Sequence, residues 1–360
     1  MSTDVLMPLP LKPVLRISPS RYSALRACSL REIWASNHQP PLLPISPSAR
    51  VGMIAHRLLQ FAFAGELRNE HDMQTCWEKE VWNQEQEMQA NPLEKHLVPL
   101  ANSVRNFQVK QIMVYNIVRP VLSDNTAKKM KVRKSETEVW VQTEDGKIGG
   151  RIDLVRHSDG KVFIVDYKTG TITDSEQPSN HIKDEYQNQL KMYAALYYLT
   201  HKRWPNRLIL MGLNQYEYDV IVNEEECTDL IRTAVEFLDE LNKNIEAGLD
   251  TDIFATPCPE TCKYCTYRPS CKKYWASRNG DDKWPADFVG AVIEQKVLGN
   301  GLYQVELENE GIRVTVRGLS PKRHYFLNER CEKIMICNLG KDTVQRCFRE
   351  IPLTTGYRVS

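Results

Sequence analysis

Between Gly149 and Lys168 the chain reads GGRIDLVRHSDGKVFIVDYK, and this segment constrains the fold more than any other. Two strand-like runs, Ile148–Arg156 and Lys161–Tyr167, flank Ser158-Asp159-Gly160, a turn signature that predicts a β-hairpin. Side chains alternate faces along a strand, so Asp166 and Lys168 point to one side. The run before Asp166 is apolar, which places a charge at the end of a buried strand. After a polar gap, EYQNQLKMYAALYYL (185–199) has apolar residues at i, i+3, i+4 and i+7 and predicts a helix. Gln189 and Tyr193, four apart, share a face of it. Strand-like runs at Leu208–Gly212 and Tyr216–Val222 and a second long helix over Thr228–Ala247 complete an α/β pattern.

The chemistry of the hairpin follows from its residue types. Asp153 and Asp166 sit at matched points on the two strands, and hard divalent cations prefer carboxylate oxygens. Lys168 follows Asp166 by two residues. Together they form a minimal set for cutting a phosphodiester with Mg²⁺ or Mn²⁺: the cation polarises the phosphate and acidifies a water, and the lysine positions that water or offsets developing charge. The plain alternative is a solvated hairpin with a surface ion pair.

Of ten cysteines, four cluster as Cys258-x3-Cys262-x2-Cys265-x5-Cys271, and six are scattered. No charged–apolar–small secretion signal precedes them, so the cluster reads as a metal site rather than a disulfide framework. Zinc and iron–sulfur clusters both use four thiolates. Taken alone, the spacing suggests one local site, with zinc as its metal.

Four blocks in order resemble the RecB-type branch of the PD-(D/E)xK nuclease superfamily, in its iron–sulfur members. These include AddB-type recombination nucleases, CRISPR-associated adaptation nucleases and the nuclease domains of replication helicase–nucleases. The blocks are SPSRYSALRACSLREIWA with Cys28, GMIAHRLLQ with His56, GRIDLV…VDYKTG followed by QLKMY, and CKYCTYRPSC with Cys262, Cys265 and Cys271. The resemblance spans roughly residues 16–275. It implies that Cys28, not Cys258, joins Cys262, Cys265 and Cys271 around a [4Fe–4S] cluster. Such a clasp closes a loop of well over 200 residues. It also implies that His56, Asp153, Asp166 and the backbone carbonyl of Tyr167 bind the divalent metal. Lys168 would then position the nucleophile, Gln189 and Tyr193 would orient a DNA strand, and Glu138 would add a carboxylate. A lone histidine on an amphipathic helix is ordinarily structural; only the resemblance raises His56 to a ligand.

Elsewhere the reading is coarser. A short helix is expected over 16–36 with Ser20 as a cap, an amphipathic helix over Val51–Leu67, and polar helices over 72–120 that wall a channel. Glu136 and Glu138, ahead of a strand at Val139–Gln142, are expected to face one side. The basic run Lys128, Lys129, Lys131, Arg133 and Lys134 is either a solvated loop or a phosphate contact. After Trp275, SRNGDDKWPAD reads as a linker. Runs at Phe288–Leu298, Leu302–Glu308, Ile312–Leu319, Glu332–Leu339 and Arg346–Ile351 predict a small barrel of the OB type, with an SH3-like barrel as competitor. Tyr303, Lys322, Arg323, His324, Tyr325 and Phe326 interleave aromatics with bases there, as a single-strand-binding face or as core.

The 360 residues carry 42% hydrophobic residues and a net charge of +1, ample for real cores and silent on nucleic acid. No run approaches the roughly 18 apolar residues of a membrane span, and a cytoplasmic protein is expected. No GxxxxGK[ST] loop is present, so any unwinding requires a separate helicase partner. The expected fold class is α/β: a restriction-endonuclease-like core over 126–275, a helical N-terminal region over 1–125, and a small β-barrel over 286–360. The expected function is a metal-dependent DNA nuclease acting on single strands or duplex ends, in repair, recombination or antiviral defence. The alternatives are a non-cutting DNA-binding scaffold subunit and an RNA- or guide-processing enzyme.

Overall fold

The computed structural model describes residues 9–124, 134–174, 181–278 and 282–359. Most of the basic run at 128–134 lies outside them. The first helices are α1 (Pro19–Ala27), α2 (Ser29–Ser36), α3 (Pro47–Phe63), α4 (Glu70–Ala90), α5 (Leu100–Ser103) and α6 (Phe107–Asp124). The single helix expected over 16–36 is two, because Cys28 adopts extended φ/ψ of −158° and 98° between α1 and α2. Ser18 rather than Ser20 precedes the first turn, followed by Pro19, whose missing N–H costs nothing there. α4 starts at Asn69, whose side chain accepts from the Asp72 amide.

The central sheet has the order β1-β2-β3-β4-β5, formed by Lys134–Gln142, Gly149–Ser158, Lys161–Lys168, Arg207–Gly212 and Glu217–Val220. The expected hairpin is β2–β3, in register from Leu154↔Val165 to Ser158↔Lys161. β3 then pairs in parallel with β4. That change of direction requires a crossover, and α7 (Asp184–His201) supplies it. The long helix α8 (Glu224–Glu246) begins with Asn223 capping the Glu226 amide and three glutamates in its first turn, which suit the positive end of the helix dipole.

Both faces of this sheet are covered. Ile152, Val155, Val162, Ile164, Leu208 and Leu210 pack with α1, α2, α7 and α8. Leu154, Val165, Tyr167 and Ile209 pack with α3, α4 and α6 on the opposite face. β3 is therefore apolar on both sides, as a central strand of a three-layer α/β sandwich should be. On α3 the buried residues Val51, Ile54, Ala55, Leu58, Leu59 and Ala62 form one stripe at helical spacing. His56 lies off that stripe, half-buried at the rim of the sheet. The stretches read from sequence as 1–125 and 126–275 thus share both cores.

Short helices α9 (Pro259–Cys262) and α10 (Lys272–Ser277) lead into the C-terminal part. There the strands are β6 (Phe288–Val297), β7 (Tyr303–Asn309), β8 (Ile312–Leu319), β9 (Lys333–Cys337), β10 (Gly340–Lys341), β11 (Cys347–Arg349) and β12 (Thr355–Val359), in the order β10-β11-β8-β7-β6-β9-β12. Only Asn338 and Leu339 separate β9 from β10, yet the two strands lie toward opposite ends of the order. So short a link forces the sheet to curl into a half-barrel. Register shifts in β6 and β7 assist the curl. β12 has no counterpart in the five expected strands. Within it a Cβ on Gly356 would lie 2.9 Å from the Phe326 ring, so close packing demands glycine.

Candidate functional site

The site forms where the C-terminal end of β3 runs past the middle of β2, beside α7. Asp166 is 3% exposed. Its Oδ1 accepts a 2.7 Å hydrogen bond from Gln189 Nε2, and Lys168 Nζ lies 2.8 Å from Oδ2. The ammonium also donates to Gln189 Oε1 at 2.8 Å and sits 4.7 Å from the centre of the Tyr186 ring. The alternation along β3 and the helical register of α7 thus bring together Asp166, Lys168 and Gln189. Asp153 lies on the adjoining strand and accepts from the Tyr167 amide at 3.0 Å. His56 reaches over from α3, its Nδ1 3.6 Å from Asp153 Oδ2, too far for a hydrogen bond.

Glu138 joins them by an unexpected route. Counted along the β1–β2 register it falls opposite Asp153, between Thr137↔Leu154 and Val139↔Ile152. Its φ of +54° breaks the strand's alternation. The two glutamates have separate neighbours: Glu136 lies 3.3 Å from His157, whereas Glu138 lines a groove of about 450 Å³ with His56, Arg57, Gln60 and Thr169. A left-handed φ on a non-glycine strand residue costs energy and is a mark of functional sites. Gly52 lets α3 approach this groove, since a Cβ there would meet Thr169 Oγ1 at 3.0 Å.

Tyr193 lies one turn further along α7, its hydroxyl within the field of Asp166, Asp153 and Glu138. It is 4% exposed within the α7 core, and its hydroxyl lies where a Cβ on Gly150 would meet it at 3.2 Å. Its ring is part of the core on the α7 face of the sheet. Sequence reasoning did not identify Tyr186 at all, although it precedes Gln189 by three residues on one helix face.

Electrostatics mark the place as one suited to a cation. Burial raises the Asp153 carboxyl, and the neighbouring Asp166 raises it further. Burial lowers the His56 imidazole, which favours the neutral form. Asp166 Oδ2 is buried without a well-directed hydrogen bond, because Lys168 approaches it closely but off-axis. Two carboxylates, one of them with a buried oxygen that lacks a directed hydrogen bond, and a neutral imidazole nearby are donors of the kind Mg²⁺ or Mn²⁺ takes. Among the described residues, however, no three His, Cys, Asp or Glu side chains converge tightly enough to enclose an ion as they stand.

Four cysteines gather at a second place, though not tightly enough among the described residues to enclose an ion as they stand. Cys28, Cys262, Cys265 and Cys271 are all buried, none in a disulfide, and they line one narrow cavity with Leu30, Trp34 and Tyr274. Cys258 is partly exposed and does not line it. Burial, with the neighbouring thiols, pushes Cys262 and Cys265 up to about 12 and Cys271 up to about 11. Four buried thiols on one apolar cavity match the chemistry of a thiolate-held metal group, which would replace their protons. Arg268, unremarked in the sequence, borders this cavity and donates to the carbonyls of Cys262 and Cys265 at 3.4 and 3.2 Å.

A family model described as PD-(D/E)XK nuclease superfamily matches residues 16–272. No curated protein matches the chain. Among solved structures, that of SSO0001 aligns at 18% identity with a TM-score of 0.25, covering 47% of this chain and 79% of its own, a likeness too slight to bear on the fold. Among the described residues no helix is long and apolar enough to cross a membrane.

Proposed function

The chain belongs to the PD-(D/E)XK nuclease superfamily, and from that premise we propose that it is a divalent-metal-dependent DNA nuclease acting on single strands or duplex ends. The observation that carries this reading is the knot of Asp166, Lys168 and Gln189, with Asp153 on the adjoining strand. His56, Asp153, Asp166 and the Tyr167 carbonyl would hold Mg²⁺ or Mn²⁺. When bound, the cation polarises the phosphodiester and acidifies a water. Lys168 holds that water or the developing negative charge. Gln189 fixes the lysine and one oxygen of Asp166 at once, so neither side chain has to find its place during the reaction. Glu138, His56 and Thr169 line the open side, where the strand would lie.

The four buried cysteines, with Cys28 in place of Cys258, support assignment to the iron–sulfur branch, with a [4Fe–4S] cluster clasping residues near the two ends of the core. The β6–β7–β8 meander, with β11 parallel to β8 and β9 returning to β6, supports an OB-type barrel. Work in DNA repair, recombination or defence alongside a separate helicase, in the cytoplasm, completes the proposal.

Metal-titrated cleavage of end-labelled single-stranded, duplex and circular DNA, with RNA of the same sequence beside them, tests it. Mg²⁺- or Mn²⁺-dependent DNA products lost in Asp166→Ala are expected. Clean DNA binding without product under either metal identifies a scaffold instead, and cutting of RNA alone identifies an RNA-processing enzyme.

A further inference from the structure

Beyond the metal-binding groove, a cleft of about 530 Å³ opens where the turn after α4 meets the half-barrel. Residues 92–96 form one wall, and residues 322–326 with β12 form the other. Its volume falls in the range of small-ligand pockets, roughly 300–1,000 Å³. Lys95, Lys322, Arg323 and Arg358 line it, and no carboxylate does.

These cations are not equivalent. Arg323 is committed to the wall itself, donating to the carbonyls of Ile351, Pro352 and Thr354. Arg358 pairs with Glu329 at 3.1 Å. Lys95 and Lys322 are exposed, and neither ammonium has an acidic partner among the described residues. Tyr325, three residues after Lys322, is 64% exposed at the same mouth. An accessible ring beside unpaired cations matches a ligand that alternates flat bases with phosphates. An inorganic anion would leave the ring unused, and an apolar peptide would leave the lysines unused.

We propose that this cleft binds a segment of single-stranded DNA and holds it for the nuclease site; calling that strand the substrate rests on the cutting activity proposed above. Two contacts make the cleft rigid relative to α3, the helix of His56. Glu94, adjacent to Lys95, is buried against Arg50 of α3 at 2.8 Å. His96 Nε2 meets the Pro352 carbonyl at 2.7 Å, joining the two walls. A strand gripped here is held at a fixed offset from the metal-binding groove. Of the aromatics singled out in the sequence, only Tyr325 is free to stack: Tyr303 and Phe326 pack on the barrel core, and His324 is 3% exposed.

The test uses the full chain in EDTA, so that cutting cannot intervene, with fluorescein-labelled dT20 and rU20 followed by anisotropy. Tyr325→Ala is expected to weaken dT20 binding by about tenfold, the order found for a lost base–aromatic stack. Lys322→Ala should flatten the slope of log affinity against log salt by about 0.7, one phosphate contact on a single strand. A strand carrying 5-bromodeoxyuridine should photo-crosslink to the peptide containing Tyr325. Wild-type affinity in Tyr325→Ala, an unchanged salt slope in Lys322→Ala, or preferential binding of rU20 overturns the proposal. Lys322 is exposed, so its variant reports even if the tyrosine variant folds poorly. Unchanged strand binding in these variants with metal-dependent cutting intact removes the cleft and leaves the nuclease. Weakened binding in the variants of a chain that never cuts does the reverse.

Discussion

Arg268 Nε lies 2.6 Å from Asp287 Oδ2, and both side chains are all but inaccessible to water. The pair joins three parts of the chain. Arg268 bonds the carbonyls of the cysteine loop and Asn338 Oδ1, while Asp287 accepts from Tyr274 of α10 and from the Asn338 amide ahead of β10. The half-barrel is thus held to the cysteine loop by one buried, fully bonded charge pair.

Removing one partner strands the other charge in a dry site. Asp287→Ala should therefore destabilise the protein by roughly 3–5 kcal/mol. Glu329→Ala, which breaks the exposed pair with Arg358, should cost under about 1 kcal/mol. Urea unfolding of both variants decides it, and equal midpoints would show that the buried pair is not a support of the fold. Replacing both partners, as Arg268→Met with Asp287→Leu, should recover much of the loss.

Within the site, roles separate by what each side chain touches. Lys168→Ala and Asp166→Ala should each reduce DNA cleavage by at least about 100-fold while leaving circular dichroism unchanged. Gln189→Ala removes the brace for both and should cost about 10–100-fold. Tyr193→Phe should stay near wild type, because its ring packs in the core. A hundredfold loss in Tyr193→Phe would restore the strand-contacting role that the burial argues against.

The legible part of this fold was local and periodic. The β2–β3 turn, the α7 stripe and the Asp166–Lys168 alternation are all carried by short-range spacing, and each lies within a residue or two of its expected place. What escaped was set at long range. The break at Cys28 turns a cysteine toward residues more than 200 positions away. Glu138 departs from strand alternation at a left-handed φ that no residue preference announces. The strand at Thr355–Val359 was not expected, and within it packing against Phe326 requires Gly356. Arg268 and Asp287 are ordinary charges until the fold buries them together.

The cysteine assignment has a direct readout. Cys28, Cys262, Cys265 and Cys271 share a cavity that excludes Cys258. Anaerobically purified wild type should carry about four irons and absorb near 400 nm, as thiolate-held iron–sulfur clusters do. Cys28→Ala should lose colour and iron and melt at lower temperature, whereas Cys258→Ala should keep all three properties. Colourless wild-type protein loaded with zinc, or loss of metal in Cys258→Ala alone, would refute the assignment.

The last prediction concerns pH and the divalent cation. Burial and Asp166 raise the folded-state Asp153 carboxyl from 3.8 to about 8. A raised acid favours the fold while protonated, so its stabilisation is complete below the unfolded value and fades as pH climbs through the folded one. His56 works in the opposite sense: burial lowers it, so it weakens the fold as pH falls below about 6.5. Between about pH 7 and 8.5 the imidazole is mostly neutral in both states, and the carboxyl dominates. Metal-free protein should therefore lose several degrees of melting temperature across that window. Mg²⁺ binds the ionised carboxylate, so its stabilising increment should grow over the same range and cancel the loss. Asp153→Asn should flatten the metal-free curve and abolish the Mg²⁺ increment. Parallel melting curves with and without Mg²⁺, in wild type as in Asp153→Asn, would mean that this carboxylate holds no cation.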